Sequence, residues 1–279
     1  MRKLTTLLAA AAALSACGES KSEKGEPTVA PTPAAVVFDG GDYADDAAKI
    51  AYGKHLTEVL HCNACHGDNM QGRNVSADDP EYGDMNAPNI TLLQANYSDA
   101  DFDQLLRHGK PKDGREFWFM PVESYQFLSD RDLAALIAYL RTLKPAGKQL
   151  PPIRKGKGFN EEVAKGLFKN AQAQTERYAA EAPEDMGAQH ERGRAIVRMT
   201  CTGCHNSKLQ GYEGFTPNLD IAGGFTPAEL ETLLTTGKGK SKPELGLMKA
   251  IVLDSLSKMT PGERQAVIGY LKARAERPQ

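Results

Sequence analysis

The sequence predicts an all-α protein made of two tandem copies of one module. Three observations carry that reading. Apolar residues recur at helical spacing behind capping residues in both halves. The second half retraces the first motif by motif. The length, 279 residues, holds two domains of ordinary size, and with 41% hydrophobic residues each half can bury a core.

Met1-Arg2-Lys3 is a short basic start before an apolar run from Leu4 to Leu14. That run is too short to span a bilayer and reads as the core of a signal peptide over 1–16. It ends Leu14-Ser15-Ala16-Cys17, which resembles the bacterial lipobox, so Cys17 is the expected lipidation site. Gly18 follows it, where an Asp often retains such lipoproteins at the inner membrane, and this points to the outer membrane. Residues 17–41, rich in Ser, Lys, Glu, Pro and Gly, read as a lipidated Cys and a flexible tether.

The first module is expected over 42–144. Residues 44–61 place Ile50, Leu56, Val59 and Leu60 mostly on one helical face. Ser98-Asp99 caps a helix with Phe102, Leu105 and Leu106 as its buried stripe and Gly109 as its stop. Ser129 to Asp132 cap another, carrying Leu133, Leu136, Ile137, Leu140 and Leu143, and Pro145 ends it. Residues 145–185 read as a linker packed on one or both modules, with a helix over 160–181 whose stripe is Val163, Leu167 and Phe168. The second module is expected over 186–279.

The repeat is detailed. Cys62-Asn63-Ala64-Cys65-His66 returns as Cys201-Thr202-Gly203-Cys204-His205, and Gln-Gly follows each His at the same distance, at Gln71-Gly72 and Gln210-Gly211. Ala87-Pro88-Asn89-Ile90 returns as Thr216-Pro217-Asn218-Leu219 after a shorter loop. Residues 97–109 align without gaps to 225–237. Met120 and Met248 follow Gly109 and Gly237 at equal spacing.

Two thiols three residues apart share one side of a helical turn, and the adjacent imidazole can ligate a metal held against them. C-x-x-C-H therefore reads as an attachment site for haem c, with Cys62, Cys65, Cys201 and Cys204 as thioether positions and His66 and His205 as iron ligands. A zinc site built from the four cysteines, or two disulfide or redox pairs, is the competing reading. Zinc would leave the two following histidines and the repeated methionines without a role. Of eight methionines, only Met120 and Met248 share a position in the repeat, which makes them the candidate second axial ligands. Elsewhere Met is core filler. Lys249 stands where Pro121 follows Met120, and Met259 lies near Met248 but aligns with Leu128, a core position. His55, His61, His108 and His190 have no partners in the other copy and are expected to be solvent-exposed.

Both modules resemble class I cytochrome c domains, and the pair resembles bacterial dihaem cytochromes. The first module is similar to the cytochrome subunits of membrane-bound alcohol and sugar-acid dehydrogenases, on Pro88-Asn89-Ile90-Thr91, residues 97–102, Asp113-Gly114-Arg115, Met120-Pro121 and residues 125–143. Those subunits typically carry three haem modules, and this chain has two. The resemblance implies an all-α fold around each of two haem c groups, with the Pro88 and Pro217 carbonyls accepting the ring N–H of the ligand histidines.

The function expected is single-electron transfer by a lipid-anchored cytochrome on the periplasmic side of a bacterial membrane. Its partners would be redox proteins: a dehydrogenase, another cytochrome or a terminal oxidase. The alternative is a dihaem enzyme, a peroxidase or thiosulfate dehydrogenase, with an open or switchable second haem. Saturated coordination on both irons argues for the carrier. Residues 42–144 hold 17 acids against 10 bases and residues 186–279 hold 9 against 13, a sign asymmetry able to orient charged partners. No basic motif with interleaved aromatics is present, so nucleic acid is not an expected partner.

Overall fold

The computed structural model describes residues 35–166, 169–242 and 244–278. The signal-peptide core, Cys17 and the tether up to residue 34 lie outside the described residues, as do Leu167 and Phe168 of the linker stripe.

Helices dominate. The first module contains α1 (Asp46–Val59), α2 (Cys62–His66), the short strand β1 (Gly83–Asp84), α3 (Ile90–Leu93), α4 (Asp99–His108), α5 (Val122–Tyr125) and α6 (Asp130–Thr142). The linker supplies β2 (Arg154–Lys155), α7 (Lys157–Ala164) and α8 (Ala171–Ala180). The second module contains α9 (Glu191–Thr200), α10 (Thr202–His205), α11 (Pro227–Thr236), α12 (Leu247–Asp254) and α13 (Pro261–Ala275).

Local chemistry sets the helix starts. Ser98 with Asp101, Ser129 with Asp132, Thr226 with Glu229 and Thr260 with Glu263 each form a reciprocal capping box, at matching places in the two modules. Gly109 and Gly237 end their helices in left-handed conformation. In each module the first long helix crosses the last at close range. A Cβ on Gly53 would overlap the Ala135 carbonyl, and one on Gly193 would overlap that of Ala266, so only glycine admits these crossings. Leu56, Val59, Leu136 and Ile137 fill the first crossing, and Ile196, Val197, Val267 and Leu271 the second. One apolar core runs through both modules.

Two expectations are revised. Val37 and Phe38, assigned to the flexible tether, are buried in that core, and Asp39 N–H donates to Glu263 Oε1 of the second module at 2.9 Å. The last residues of the tether segment thus belong to the folded unit. The single linker helix over 160–181 is two helices, because Gly166 turns left-handed (φ +71°) and Asn170 starts a new helix by accepting from Ala173 N–H.

The linker packs on both modules. β2 pairs antiparallel with β1, Gly83 opposite Lys155 and Asp84 opposite Arg154. β1 lies in the loop that is longer in the first module, so the extra residues there serve as the linker's docking strand. Behind the strands, Phe159 is 1% exposed and packs with Met85 and Trp118 in a second apolar cluster, with Phe119 beside it. Farther on, α8 lies against α5, and the buried Tyr178 hydroxyl donates to Thr202 O of the second module at 3.2 Å. The modules also touch directly: α2 packs on α12, and α5 packs on α9 and α10. Each attachment helix therefore meets the methionine-side helix of the other module.

Candidate haem centres

α1 ends at Leu60, His61 adopts a left-handed φ of +65°, and α2 then presents Cys62, Cys65 and His66. In the second module α9 runs on through Cys201 into α10 without a left-handed residue. All four cysteines are free and half-buried. Burial pushes the Cys62 thiol up to about 12 and the Cys201 thiol up to about 11. Cys62 and Met120, and likewise Cys201 and Met248, pack against the shared core.

His66 and His205 are 8% and 7% exposed. His66 Nδ1 lies 2.9 Å from Pro88 O, and His205 Nδ1 lies 2.9 Å from Pro217 O. A carbonyl only accepts, so Nδ1 carries the hydrogen and the Nε2 lone pair is left for a metal. Burial lowers both histidine pKa values and the carbonyl bond opposes it only in part, which keeps the rings in the neutral form a ligand needs.

The carbonyls are placed by one loop used twice. Gly72 N–H donates to His66 O at 2.8 Å and Ile90 N–H to Met70 O at 2.8 Å; Gly211 donates to His205 O and Leu219 to Leu209 O, both at 2.9 Å. Met70 and Leu209 take left-handed φ of +57° and +61° to make these turns. A Cβ on Gly72 would overlap Ala87 O, and one on Gly211 would overlap Thr216 O, the carbonyl just before each proline. The repeated Gln-Gly pair marked these glycines in the sequence; nothing marked Met70 or Leu209.

The two methionines keep equal spacing on different backbones. Met120 follows Phe119, held at φ +67°, in an irregular segment closed by Met120 N–H to Trp118 O at 2.9 Å. Met248 lies in the first turn of α12, after Gly246 at φ +55°. Both are half-buried. Met259 and Leu128 are 2% and 1% exposed, so the aligned pair fills core positions.

The expectation for the other histidines holds for His108 alone, which is exposed. His190 is half-buried at the start of α9. His55 Nε2 lies 2.8 Å from Glu263 Oε1, and His61 Nε2 lies 3.2 Å from Thr200 O, both across the module boundary. Tertiary packing between modules covers these two, and no local pattern announces it.

The donor set fits haem c. Each module offers two free thiols, a neutral imidazole with its Nε2 available and a thioether packed on the same core. Among the described residues no group of three or more His, Cys, Asp or Glu comes together to hold a metal ion, so the four cysteines are not gathered into one cluster. Residues 50–144 match the family described as cytochrome c, and residues 188–271 match cytochrome c oxidase, cbb3-type, subunit III.

The chain carries two cytochrome c domains. Two such domains with two covalently bound haem c groups make it a dihaem cytochrome c. The dihaem cytochrome is 26% identical over 254 residues to the fructose dehydrogenase cytochrome subunit of Gluconobacter japonicus, covering 80% of this chain and 52% of that one. It is 27% identical over 217 residues to the diheme cytochrome c-type protein of Cereibacter sphaeroides, covering 69% and 72%. It is 26% identical over 271 residues to the gluconate 2-dehydrogenase cytochrome c subunit of Pantoea cypripedii, covering 83% and 60%. The chain spans about half the length of the fructose dehydrogenase subunit.

Proposed function

We propose that this dihaem cytochrome is a lipid-anchored electron carrier on the periplasmic side of a bacterial membrane, the outer one, passing single electrons from a dehydrogenase to another cytochrome or a terminal oxidase. Residues 1–16 would be removed on export, Cys17 would carry the lipid, and the following residues would act as the tether. Cys62 and Cys65 hold one haem and Cys201 and Cys204 the other. His66 with Met120, and His205 with Met248, are the axial pairs.

The repeated contact of His Nδ1 with a proline carbonyl at 2.9 Å, beside two free thiols in each module, carries this reading. Haem supplies a one-electron couple, and the chain's own residues fix its ligands and keep the site away from water. The Pro88 and Pro217 carbonyls hold the imidazoles in orientation and tautomer. The thioethers of Met120 and Met248 would complete the coordination of the metals, which suits a carrier that binds no substrate there. The names of the relatives support a dehydrogenase as the electron donor.

The test is a redox titration of the pure protein with optical spectroscopy, wild type beside Met120→Ala and Met248→Ala, together with the mass of the mature chain. Two covalent haems are expected, and each variant should lose the methionine–iron band of one haem. A Met248→Ala spectrum identical to wild type removes the second ligand assignment. A high-spin fraction on the second haem of the wild type would favour the enzyme reading instead. Cys17→Ser should move the protein from the membrane to the soluble fraction, and retention in the membrane sinks the anchor.

A further inference from the structure

His61 is an insertion. Gly53 and Gly193 occupy the same helix crossing in the two modules, yet Gly53 is nine residues before Cys62 and Gly193 is eight before Cys201. The extra residue is the left-handed one that breaks the helix ahead of the first attachment motif (φ +65°). A non-glycine residue in that conformation costs free energy, and so does its buried Nδ1, which has no hydrogen-bond partner. What the conformation achieves is a direction. The ring crosses the module boundary and its Nε2–H donates at 3.2 Å to the carbonyl of Thr200, the residue before Cys201. Around it, Ser124 Oγ and Thr202 Oγ1 lie 3.4 Å apart, and α2 and α5 of the first module pack on α12 and α10 of the second. The residue before one attachment motif thus meets the residue before the other, and His61 is the side chain that ties them.

We infer that His61 is the bridge for electron transfer between the two haems: from Cys62 through the His61 side chain and one hydrogen bond to the Thr200 carbonyl and Cys201. Electronic coupling decays less steeply through bonds, hydrogen bonds included, than across a van der Waals gap, so one hydrogen bond replacing the gap sets the favoured route. The step is balanced as it stands. One electron would leave one module and arrive in the other, the ferrous iron of the donor haem becoming ferric as the acceptor's ferric iron became ferrous. No bond forms or breaks and no proton moves. Burial keeps the ring neutral, so the bridge carries no charge of its own to shift either potential. His61 would ligate neither iron; it is a positioning residue for the transfer.

The inference rests on haem attachment at Cys62 and Cys201, which the mass of the mature protein checks separately. The experiment is pulse reduction of the holoprotein, following electron equilibration between the haems. His61→Asn accepts the left-handed backbone but its amide is shorter than the ring. Equilibration should slow by about an order of magnitude, with two haems by mass and with both midpoint potentials and both axial-ligand bands unchanged. His61→Gln, whose longer amide reaches toward Thr200 O, should recover most of the rate. Wild-type speed in His61→Asn, or slowing that comes only with shifted potentials or ligand bands, overturns the bridge. Should His61→Asn lose a haem, the fully ferric wild type decides: dipolar broadening of the haem EPR lines that vanishes on reducing one haem supports the close approach that the bridge requires, and two unbroadened spectra overturn the bridge.

Discussion

Glu123 is a half-buried carboxyl. It lies on α5, in the module boundary, and burial pushes its carboxyl up to about 7. Between roughly pH 4.5 and pH 7 the unfolded chain gives up this proton while the folded chain keeps it, so the folded state loses ground as pH rises. The loss is on the order of 3 kcal/mol once both states are ionised. Chemical denaturation at pH 5 and pH 8 should therefore show Glu123→Gln with a flatter pH slope and higher stability than wild type at pH 8. Equal slopes would mean that the carboxyl is solvated. His66 and His205 shift in the opposite direction for the same reason, since burial keeps each ring neutral, and each finds a carbonyl. The expectation that the two are iron ligands was legible from C-x-x-C-H. That His55 and His61 are covered was not, because their partners Glu263 and Thr200 are 208 and 139 residues away.

Among the elements, the helix starts were readable and the linker was not. Capping boxes are local: Ser or Thr followed three residues later by Asp or Glu announces the start wherever the helix packs. The pairing of β1 with β2 joins two two-residue strands from distant loops, too short to show periodicity. Phe159 is what holds this linker segment to the first module, beside the irregular segment that carries Met120. Phe159→Ala should destabilise the first module by about 3 to 4 kcal/mol. It should also speed proteolysis between residues 145 and 185 and leave the second haem's potential unmoved. Linker cleavage at the wild-type rate would show that β2 and α8 suffice to hold the segment.

Across the whole molecule, the two modules are joined through Glu263, which is fully buried. Its carboxylate accepts from Thr260 N–H within its own cap, from Asp39 N–H and from His55 Nε2–H. One carboxylate thus closes a helix cap, anchors the end of the tether segment and ties the first module to the second. Glu263→Ala strands three partly buried donors and should cost about 2 to 3 kcal/mol. Calorimetry of the holoprotein should then separate into two transitions, one per module, where wild type gives one. A single transition at the wild-type temperature would show that the apolar contacts alone hold the modules together.

The sequence by itself determined the two modules, the paired C-x-x-C-H motifs, the matched methionines and the capped helices. All of these depend on spacing within a few turns or on comparison of one half with the other. Tertiary structure alone decided that the end of the tether segment is core, that the linker pairs with the longer loop, and that His61 reaches Thr200. Each of these joins residues far apart in the chain, and the free energy that selects them comes from surfaces that exist only once both modules have folded.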